Sequence, residues 1–537
     1  MKKITFLIVL LSGFWAVAQE DAWVYFTDKP DAAHYMANPL EMLSQRALDR
    51  RTRQNIALDE KDVPISVSYI NQVTASAGIT VKAKSKWMNA LHIRGTVEAI
   101  QNLETLTFVD HIQFANPTLN TAGRAMRQSQ LANGNKNLET QVSFGYGTSA
   151  NQIQMLKGNQ LHQQDFTGNG KIIAVMDAGF PNVNTAQPFQ RLITNNKILG
   201  GYDFVNRNTN FYTGGTHGTL VLATMGGYVE NQLVGTGPDA SYYLFITEDI
   251  SDENPVEESY WVEAAEMADS LGVDIINTSL GYFIYNNPGY SYEYADMNGT
   301  TAFISRGADI AFSKGMICVV SAGNSGAGAN PNISAPADAV NALAVGAVAP
   351  DSSYAGFSSI GPSFDGRVKP DIMAQGQQAV VSDTFGNIVT ANGTSFSSPI
   401  ISGMVACLWQ AFPDKTNAEI IQLIKQSAHL YNTPNNQFGY GIPDFSRALA
   451  NALDTPVFSE NSFLVYPNPA NSVVNLVIPE PYEEARIFIY NQLGQEIMNS
   501  KIKRENPVFS VENLQSGIYW YKIKAGNNYK TGKLAVK

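Results

Sequence analysis

The chain has 537 residues, of which 44% are hydrophobic and 15% are charged, as in ordinary globular proteins. One hydrophobic core seldom serves more than about 250–300 residues, so the length predicts several domains. The formal net charge is −11, and the negative excess falls mainly between positions 115 and 460. That sign excludes nucleic acid as the expected partner, because such partners are held by basic surfaces.

The first 18 residues have the pattern of a secretory signal peptide. Lys2 and Lys3 precede the apolar run 4–11, and Ala16-Val17-Ala18 supplies small residues before a cleavage after Ala18. The apolar run is shorter than the roughly 20 residues that a membrane-spanning helix needs. We therefore expect residues 1–18 to be removed and the rest to be exported as a soluble protein.

Residues 19–115 form the first predicted domain. Strand-like runs occur at 23–26, 79–83, 90–94 and 108–114, with helical stretches at 41–54 and 96–102. This order predicts an α+β sandwich. The following stretch, 116–143, is rich in Asn, Gln and Thr and has no periodicity, so we interpret it as a linker.

Residues 144–455 alternate between strand-like and helix-like segments, as βαβ units of a parallel sheet do. The strand-like runs are 171–176, 241–246, 274–277 and 317–321, and a helix is predicted at 256–271. The pattern predicts a doubly wound, mainly parallel α/β domain. In such open sheets ligands bind at the carboxyl ends of the strands, and polar phrases follow several of these runs.

Three phrases carry the residue types of an activated serine. Asp177 lies in Val-Met-Asp-Ala-Gly, His217 in Thr-His-Gly-Thr, and Ser395 in Gly-Thr-Ser-Phe-Ser-Ser-Pro. A serine hydroxyl is a weak nucleophile until an imidazole removes its proton and a carboxylate fixes the imidazole's tautomer. The order Asp, His, Ser differs from the orders of chymotrypsin and of the α/β-hydrolases. Phrases and order together resemble the subtilases, the subtilisin-like serine peptidases.

The resemblance implies a role for each of these residues and for two further phrases. Asp177 would orient His217, the general base and acid, and Ser395 would be the nucleophile at the start of a helix, with Pro399 in the first turn. Asn324, in Ala-Gly-Asn-Ser-Gly, would donate its side-chain amide to the oxyanion. Ser279, Leu280 and Gly281 would form an extended edge that pairs with the substrate backbone.

The region around this site leaves several points open. The aromatic stretch 282–294 is either a hydrophobic wall for substrate side chains or packing of a long insertion. Small residues at Ser325 and Ser334, with no acid beside them, favour cleavage after apolar or uncharged residues. No cofactor is required by this chemistry, and a structural calcium ion at 296–300 is a minor alternative to an unoccupied loop.

Further phrases resemble parts of subtilase precursors outside the peptidase domain. Leu-Ser-Gln-Arg-Ala at 43–47 and Ser-Lys-Trp-Met-Asn-Ala at 85–90 resemble subtilase propeptides. They imply that residues 19–115 are an inhibitory, fold-assisting propeptide, which is released by cleavage within 116–143. The alternative is an independent domain that stays attached after maturation.

The last predicted domain, 461–537, consists of short strand-like runs at 473–477, 485–490 and 518–524, which predict a small β-sandwich. Val-Tyr-Pro-Asn-Pro-Ala at 465–470, Tyr-Asn-Gln-Leu-Gly at 490–494 and Gly-Ile-Tyr at 517–519 resemble the C-terminal sorting domain of the type IX secretion system. This implies passage through the periplasm and across an outer membrane by that machinery. An accessory module that binds carbohydrate or protein is the alternative.

The two cysteines, Cys318 and Cys407, lie in apolar runs and are predicted to be buried free thiols rather than a disulfide. In total the sequence predicts a secreted, monomeric endopeptidase that acts on proteins and is made as an inactive precursor. The alternative is a catalytically silent cell-surface binding or adhesion protein on the same fold. The sedolisin arrangement, which uses glutamate in place of histidine, is excluded by the His-Gly-Thr phrase at His217.

Overall fold

The computed structural model describes residues 19–120, 144–452, 463–466, 470, 472–478, 482–491, 494–505, 507–526 and 528–536. The predicted signal peptide at 1–18 and most of the predicted linker lie outside these residues. The chain divides into two compact units, 1–453 and 454–537. Within the described ranges, no helix is long and apolar enough to cross a membrane.

The N-terminal domain is the predicted α+β sandwich. Its elements are β1 (Glu20–Phe26), α1 (Ala32–Ala37), α2 (Gln45–Arg53), α3 (Val67–Thr74), β2 (Thr80–Ser85), β3 (Ala90–Gly95), α4 (Val97–Gln101) and β4 (Val109–Phe114). The strands form an antiparallel sheet in the order β2-β3-β1-β4. Sequence patterns missed α1 and α3, which are short and have no strong apolar stripe.

The central strand of this sheet, β1, is buried on both faces. Ala22, Val24 and Phe26 point into the domain's own core. The alternate residues Trp23 and Tyr25 pack against the helices Val256–Leu271 and Phe303–Ser313 of the following domain. The period of two along a strand thus lets one strand belong to two cores at once.

The second domain contains most of the remaining elements of the first unit. These are α5 (Ala150–Gln154), α6 (Gly158–His162), β5 (Ile172–Asp177), α7 (Gln190–Thr194), β6 (Ile198–Asp203), α8 (His217–Gly226), β7 (Tyr228–Val229), β8 (Leu233–Val234), β9 (Ser241–Ile246), α9 (Val256–Leu271), β10 (Ile275–Thr278), α10 (Phe303–Ser313), β11 (Ile317–Ser321), β12 (Leu343–Val348), β13 (Ile372–Gln375), β14 (Ala379–Ser382), β15 (Ile388–Ala391), α11 (Thr394–Ala411), α12 (Asn417–Ser427) and α13 (Phe445–Ala452).

Seven strands form the predicted doubly wound parallel sheet, in the order β13-β12-β11-β10-β5-β9-β6. Helices α8 and α11 cover one face, and α9 and α10 cover the other. Because both faces are covered, the central strands are continuous apolar runs, and this explains why their positions were readable from sequence. The strands β9 and β11 and the helix α9 have the predicted bounds, while β5 and β10 are shifted by one residue.

The position of Pro399 differs from the prediction. It is the sixth residue of α11 rather than part of the first turn, so its missing N–H removes an intrahelical hydrogen bond. The carbonyl that loses this bond belongs to Ser395, and the Ser279 hydroxyl donates to it at 2.9 Å instead. A contact between distant segments therefore replaces a local one.

Both cysteines are buried and free, as predicted, Cys318 in β11 and Cys407 in α11. Burial raises the pKa of each thiol, so both remain protonated. Neither has the character of a reactive cysteine.

The second unit contains β16 (Leu464–Tyr466), β17 (Val473–Val477), β18 (Glu484–Tyr490), β19 (Glu496–Lys503), β20 (Val508–Ser510), β21 (Gly517–Ala525) and β22 (Asn528–Val536). They form two antiparallel sheets, β16-β17-β20 and β19-β18-β21-β22. Alternate residues such as Val474, Ile487 and Ile523 point into one shared core. This is the small β-sandwich that the sequence predicted.

Candidate active site

Asp177 and His217 meet at the carboxyl edge of the parallel sheet. Asp177 is the last residue of β5, and His217 is the first residue of α8. The imidazole Nδ1 lies 2.8 Å from Asp177 Oδ1, which also accepts a hydrogen bond from the Ala178 N–H at 2.8 Å. The carboxylate is thus held by its own backbone while it binds and orients the ring.

A close approach between two loops fixes this geometry. Phe180 N–H donates to the Thr213 carbonyl, and Gly215 N–H donates to the Ala178 carbonyl, each at 2.9 Å. A Cβ atom on Gly218 would lie 2.5 Å from the Gly179 carbonyl oxygen and 3.0 Å from Asp177 Cβ. The glycine in the Thr-His-Gly-Thr phrase is therefore required by space.

The charge of Asp177 raises the pKa of His217, against the opposing effect of burial. The imidazolium that forms when a base takes a proton is accordingly stabilised at this position. The second carboxylate oxygen, Asp177 Oδ2, is buried and has no hydrogen-bond partner among the described residues.

Ser395 is the second residue of α11, a helix that packs beside α8. Its neighbour Phe396 has its ring centroid 6.0 Å from that of the His217 imidazole. In the part of the chain that the structure describes, the Ser395 hydroxyl makes no hydrogen bond to His217. Catalytic hydrogen bonds of this kind are often long without substrate and tighten in the complex.

Asn324 follows β11 and holds the start of α11. Its Oδ1 accepts from the Thr394 N–H at 2.8 Å and from the Thr394 hydroxyl at 3.0 Å. With the oxygen committed, the side-chain NH₂ is the group left to donate, and Asn324 lines the same cleft as Ser395. The role of Thr394 in this arrangement was not visible in the sequence, where it was only the residue before the serine.

The cleft beside Ser395 has a volume of about 510 Å³. It is lined by Ser279, Leu280, Gly281, Phe283, Ile284, Ser321, Gly323, Asn324, Ser325, Gly328, Ala329, Asn330, Ser334 and Ser395. None of these side chains is charged. A cleft of this composition has no group that would pair with a lysine or arginine of a substrate.

Ser279, Leu280 and Gly281 line this cleft directly after β10 rather than within a strand. The Leu280 carbonyl accepts from the Ser321 hydroxyl at 3.3 Å, and a Cβ atom on Gly281 would lie 2.3 Å from Ser334 Oγ. Their backbone is therefore fixed by neighbours on both sides, although it is not paired in a ladder.

The aromatic stretch 282–294 divides between the two interpretations. Tyr282, Tyr285 and Tyr290 are buried, so they are packing residues. Phe283 and Ile284 instead line the cleft. Ile284, which is 67% exposed, was not singled out from the sequence, although it stands beside the buried Tyr285.

Glu248, which sequence reasoning missed, carries a charge that raises the pKa of His217. It follows the end of β9 and accepts a hydrogen bond from the Tyr282 hydroxyl. Desolvation raises the pKa of this glutamate to about 8, although the side chain keeps partial exposure. Its only sequence signal was its place after a strand that neighbours β5.

The proposed cation loop at 296–300 uses its oxygens locally. Asp296 Oδ2 accepts from the Glu293 N–H, and Asn298 Oδ1 accepts from the Thr300 N–H, each at 2.8 Å. Across the described ranges, no cluster of three or more His, Cys, Asp or Glu side chains could hold a metal ion.

Comparison with known families matches three separate parts of the chain. The subtilase family matches residues 168–441, the peptidase S8 propeptide domain of Bacteroidota matches residues 21–133, and the secretion system C-terminal sorting domain matches residues 464–537. The sorting domain indicates export by the type IX route to the cell surface or the medium.

Relatives lead to the same family. Subtilisin NAT of Bacillus subtilis subsp. natto and subtilisin J of Geobacillus stearothermophilus are each 30% identical over 296 residues, or 54% of this chain and 68% of theirs. Subtilisin of Bacillus pumilus is 29% identical over 51% of this chain and 90% of its own. Among solved structures, the MycP3 protease of the type VII (ESX-3) secretion system aligns with a TM-score of 0.45 and 20% identity, over 58% of this chain and 91% of that chain. This chain therefore belongs to the subtilase family and is a secreted serine endopeptidase that is made as a precursor with a C-terminal sorting domain.

Proposed function

We propose that Ser395 is the nucleophile of this endopeptidase, with His217 as general base and acid and Asp177 as its orienting partner. The observation that carries the proposal is the 2.8 Å contact between His217 Nδ1 and Asp177 Oδ1 beside the start of α11. This contact commits Nδ1 to the carboxylate, so Nε2 is the nitrogen left to take a proton from the serine.

The reaction then proceeds in two halves. His217 takes the hydroxyl proton while Ser395 Oγ attacks the scissile carbonyl, and the same proton passes to the leaving amine as the peptide bond breaks. Water, deprotonated by His217, then attacks the acyl-enzyme and releases the acid and the free serine. In both tetrahedral intermediates the oxyanion accepts from the Asn324 side-chain amide and the Ser395 N–H.

The N-terminal domain acts in this proposal as an intramolecular inhibitor. Its buried contacts with α9 support this role: Glu266 accepts from the Ser85 hydroxyl at 2.6 Å and from the Lys86 and Trp87 N–H groups at 2.9 Å each. After β4 the chain passes beside residues 288–290, where Asn116 lies next to Gly289.

The lining of the cleft supports a preference for apolar or uncharged residues before the cleaved bond. Ser325 and Ser334 leave space, and Phe283 and Ile284 supply an apolar wall. Profiling of the mature enzyme on a peptide library tests this preference. Dominant cleavage after lysine or arginine would contradict it.

The decisive experiment compares the precursor with its Ser395→Ala variant, expressed in a host that has the matching secretion machinery. The parent should lose residues 19–115 by cleavage within 116–143 and digest casein, while Ser395→Ala should stay uncleaved and inactive. Ser397→Ala is the matched control, because that hydroxyl donates to the Thr394 carbonyl one turn away. Maturation and casein cleavage by Ser395→Ala would overturn the assignment of Ser395 as nucleophile, whereas a parent that neither matures nor digests casein would favour a binding role for the fold.

A further inference from the structure

A second cavity, of about 240 Å³, lies where the propeptide helix α2 meets the peptidase domain. It is lined by Arg46, Arg53, Asn169, Gly170, Lys171, Gln410 and Pro413 and shares no residue with the catalytic cleft. Two of its cations come from the propeptide and one from the start of β5. We refer to Arg46, Arg53 and Lys171 with their cavity as the cation pocket.

Lys171 is the unusual member of the cation pocket. The residue is only 7% exposed, and its ammonium lies 4.7 Å above the ring of Trp409. This ammonium makes no hydrogen bond or ion pair with any residue that the structure describes, although the Lys171 backbone is bonded to Gly168 and Ser241. A buried ammonium normally has hydrogen-bonding partners, because desolvation of an isolated charge is expensive. Burial lowers the pKa of Lys171, and the nearby charges of Arg46 and Arg53 lower it further, against the opposing effect of Asp274.

The other charges around the cavity leave a positive excess. Arg46 is paired with Asp274 at 2.5 Å and also donates to the Gly170 and Gly272 carbonyls at 3.0 and 2.9 Å. The same Asp274 oxygen, Oδ2, also accepts from the Ile172 N–H at 2.9 Å, and the charge of this carboxylate raises the pKa of Lys171.

Arg53 stands at the rim and forms no ion pair within the described part of the chain. Asp414 also raises the pKa of Lys171 but forms no ion pair with any of the three cations. Three cations thus face two carboxylates, of which only Asp274 is paired with one of them.

We propose that the cation pocket binds a small tetrahedral oxyanion of the phosphate or sulfate type, which bridges the propeptide and the peptidase domain. Guanidinium and ammonium groups that converge from two sides suit such an ion, since each N–H can donate a charge-assisted hydrogen bond to a separate oxygen. The cavity holds the ion and several waters, at about 30 Å³ for each water.

The bridging position has a consequence for activation. An ion that contacts both partners binds the docked precursor and loses half of its site when the propeptide leaves. By linkage, the bound ion multiplies the ratio of docked to released propeptide by a factor of 1 + c/Kd, where c is the concentration of the ion. The cation pocket would therefore make release of the propeptide sensitive to the concentration of the oxyanion outside the cell.

The test uses the full-length Ser395→Ala precursor, so binding is measured whether or not Ser395 is the nucleophile. Sodium phosphate is titrated against sodium chloride at constant ionic strength and followed by calorimetry. We expect saturable binding of phosphate and none of chloride. Lys171→Met, which keeps the packing on Trp409, and Arg53→Gln should each weaken binding at least tenfold, while the exposed control Lys61→Gln should leave it unchanged.

Hydrogen exchange of the Ser44 amide tests the bridging part of the proposal. This amide donates to the Ser270 carbonyl across the interface at 2.8 Å. At a phosphate concentration ten times the dissociation constant, its exchange should slow by about tenfold. The proposal is overturned if phosphate binds no better than chloride, if Arg53→Gln binds as the parent does, or if bound phosphate leaves this exchange unchanged. Arg53→Gln gives the answer even where Lys171→Met fails to fold, because its side chain lies at the rim.

Discussion

The substitution Asp269→Asn should loosen the propeptide without harming the mature enzyme. Asp269, on α9, is fully buried and forms ion pairs with two propeptide arginines. Its Oδ1 accepts a hydrogen bond from Arg50, and its Oδ2 accepts one from Arg51 at 2.7 Å. Both arginines are almost fully buried. Asparagine has the same shape but no charge, so both guanidinium groups lose an ionic partner inside the interface.

The structure sets the size of the effect. Loss of one partner from a buried ion pair costs about 3–5 kcal/mol. Arg51 keeps Asp62 at 2.8 Å, whereas Arg50 keeps only carbonyl acceptors. We therefore expect a cost at the lower end of this range, about 3 kcal/mol. This corresponds to an increase of more than about 100-fold in the equilibrium constant for opening of the interface. Once the propeptide has left, Asp269 faces water, so the mature enzyme should unfold at an unchanged denaturant concentration.

Hydrogen exchange of the Ser44 amide in the Ser395→Ala precursor measures this opening. The matched control is Asp239→Asn, which breaks the 2.6 Å pair with Arg191 at a site where both side chains are partly exposed. Such pairs are worth less than about 1 kcal/mol, so exchange at Ser44 should stay close to the parent rate. If Asp269→Asn speeds exchange no more than this control does, the buried arginines do not hold the propeptide in place.

Three further outcomes follow from the site. The kcat/KM of the mature enzyme should rise with pH through a pKa above 6.5, because Asp177 stabilises protonated His217 and only the neutral ring is a base. Asp177→Asn should move this inflection to lower pH and reduce kcat on the order of 10⁴-fold. An inflection that does not move would exclude His217 as the titrating group. Asn324→Leu should lower kcat about 100- to 1,000-fold with little change in KM, whereas a loss confined to KM would indicate a role in substrate binding. Ser279→Ala should lower the free energy of unfolding of the precursor in urea by ~1–3 kcal/mol, because it leaves the buried Ser395 carbonyl without a donor. Pro399→Ala supplies the missing N–H, so the double variant Ser279→Ala with Pro399→Ala should recover this stability. A double variant that stays as unstable as Ser279→Ala would contradict this account.

Local sequence was sufficient for the framework of the peptidase domain. The strands β9 and β11 are apolar runs because a parallel sheet covered on both faces leaves no position for polar side chains. Asp177 and His217 were recognisable because each stands beside glycines that the close loop contacts require. Such features depend on neighbouring residues, so they can be recognised without the fold.

The contacts that tie distant segments together could not be predicted in this way. Pro399 looked like a first-turn proline. Only the structure shows that the Ser279 hydroxyl, 116 positions from Ser395, donates to the Ser395 carbonyl in place of the lost hydrogen bond. The sequence left the stretch 282–294 open between a substrate wall and packing of an insertion, and the structure shows that Tyr285 is buried and donates to Glu258 at 2.5 Å. Aromatic side chains with a hydroxyl suit either setting, so burial decides between them.

The sequence by itself determined the family and the order of the three matched regions, and it predicted the roles of Asp177, His217 and Ser395, because these inferences depend on residue types and on periodic apolar patterns. Only the tertiary structure decided how the propeptide is held and which charges remain uncompensated there. Arg50 and Asp269 are 219 positions apart, and Lys171 lies among cations from another domain. Electrostatic interactions depend on distance and burial in space, and neither can be deduced from separation along the chain.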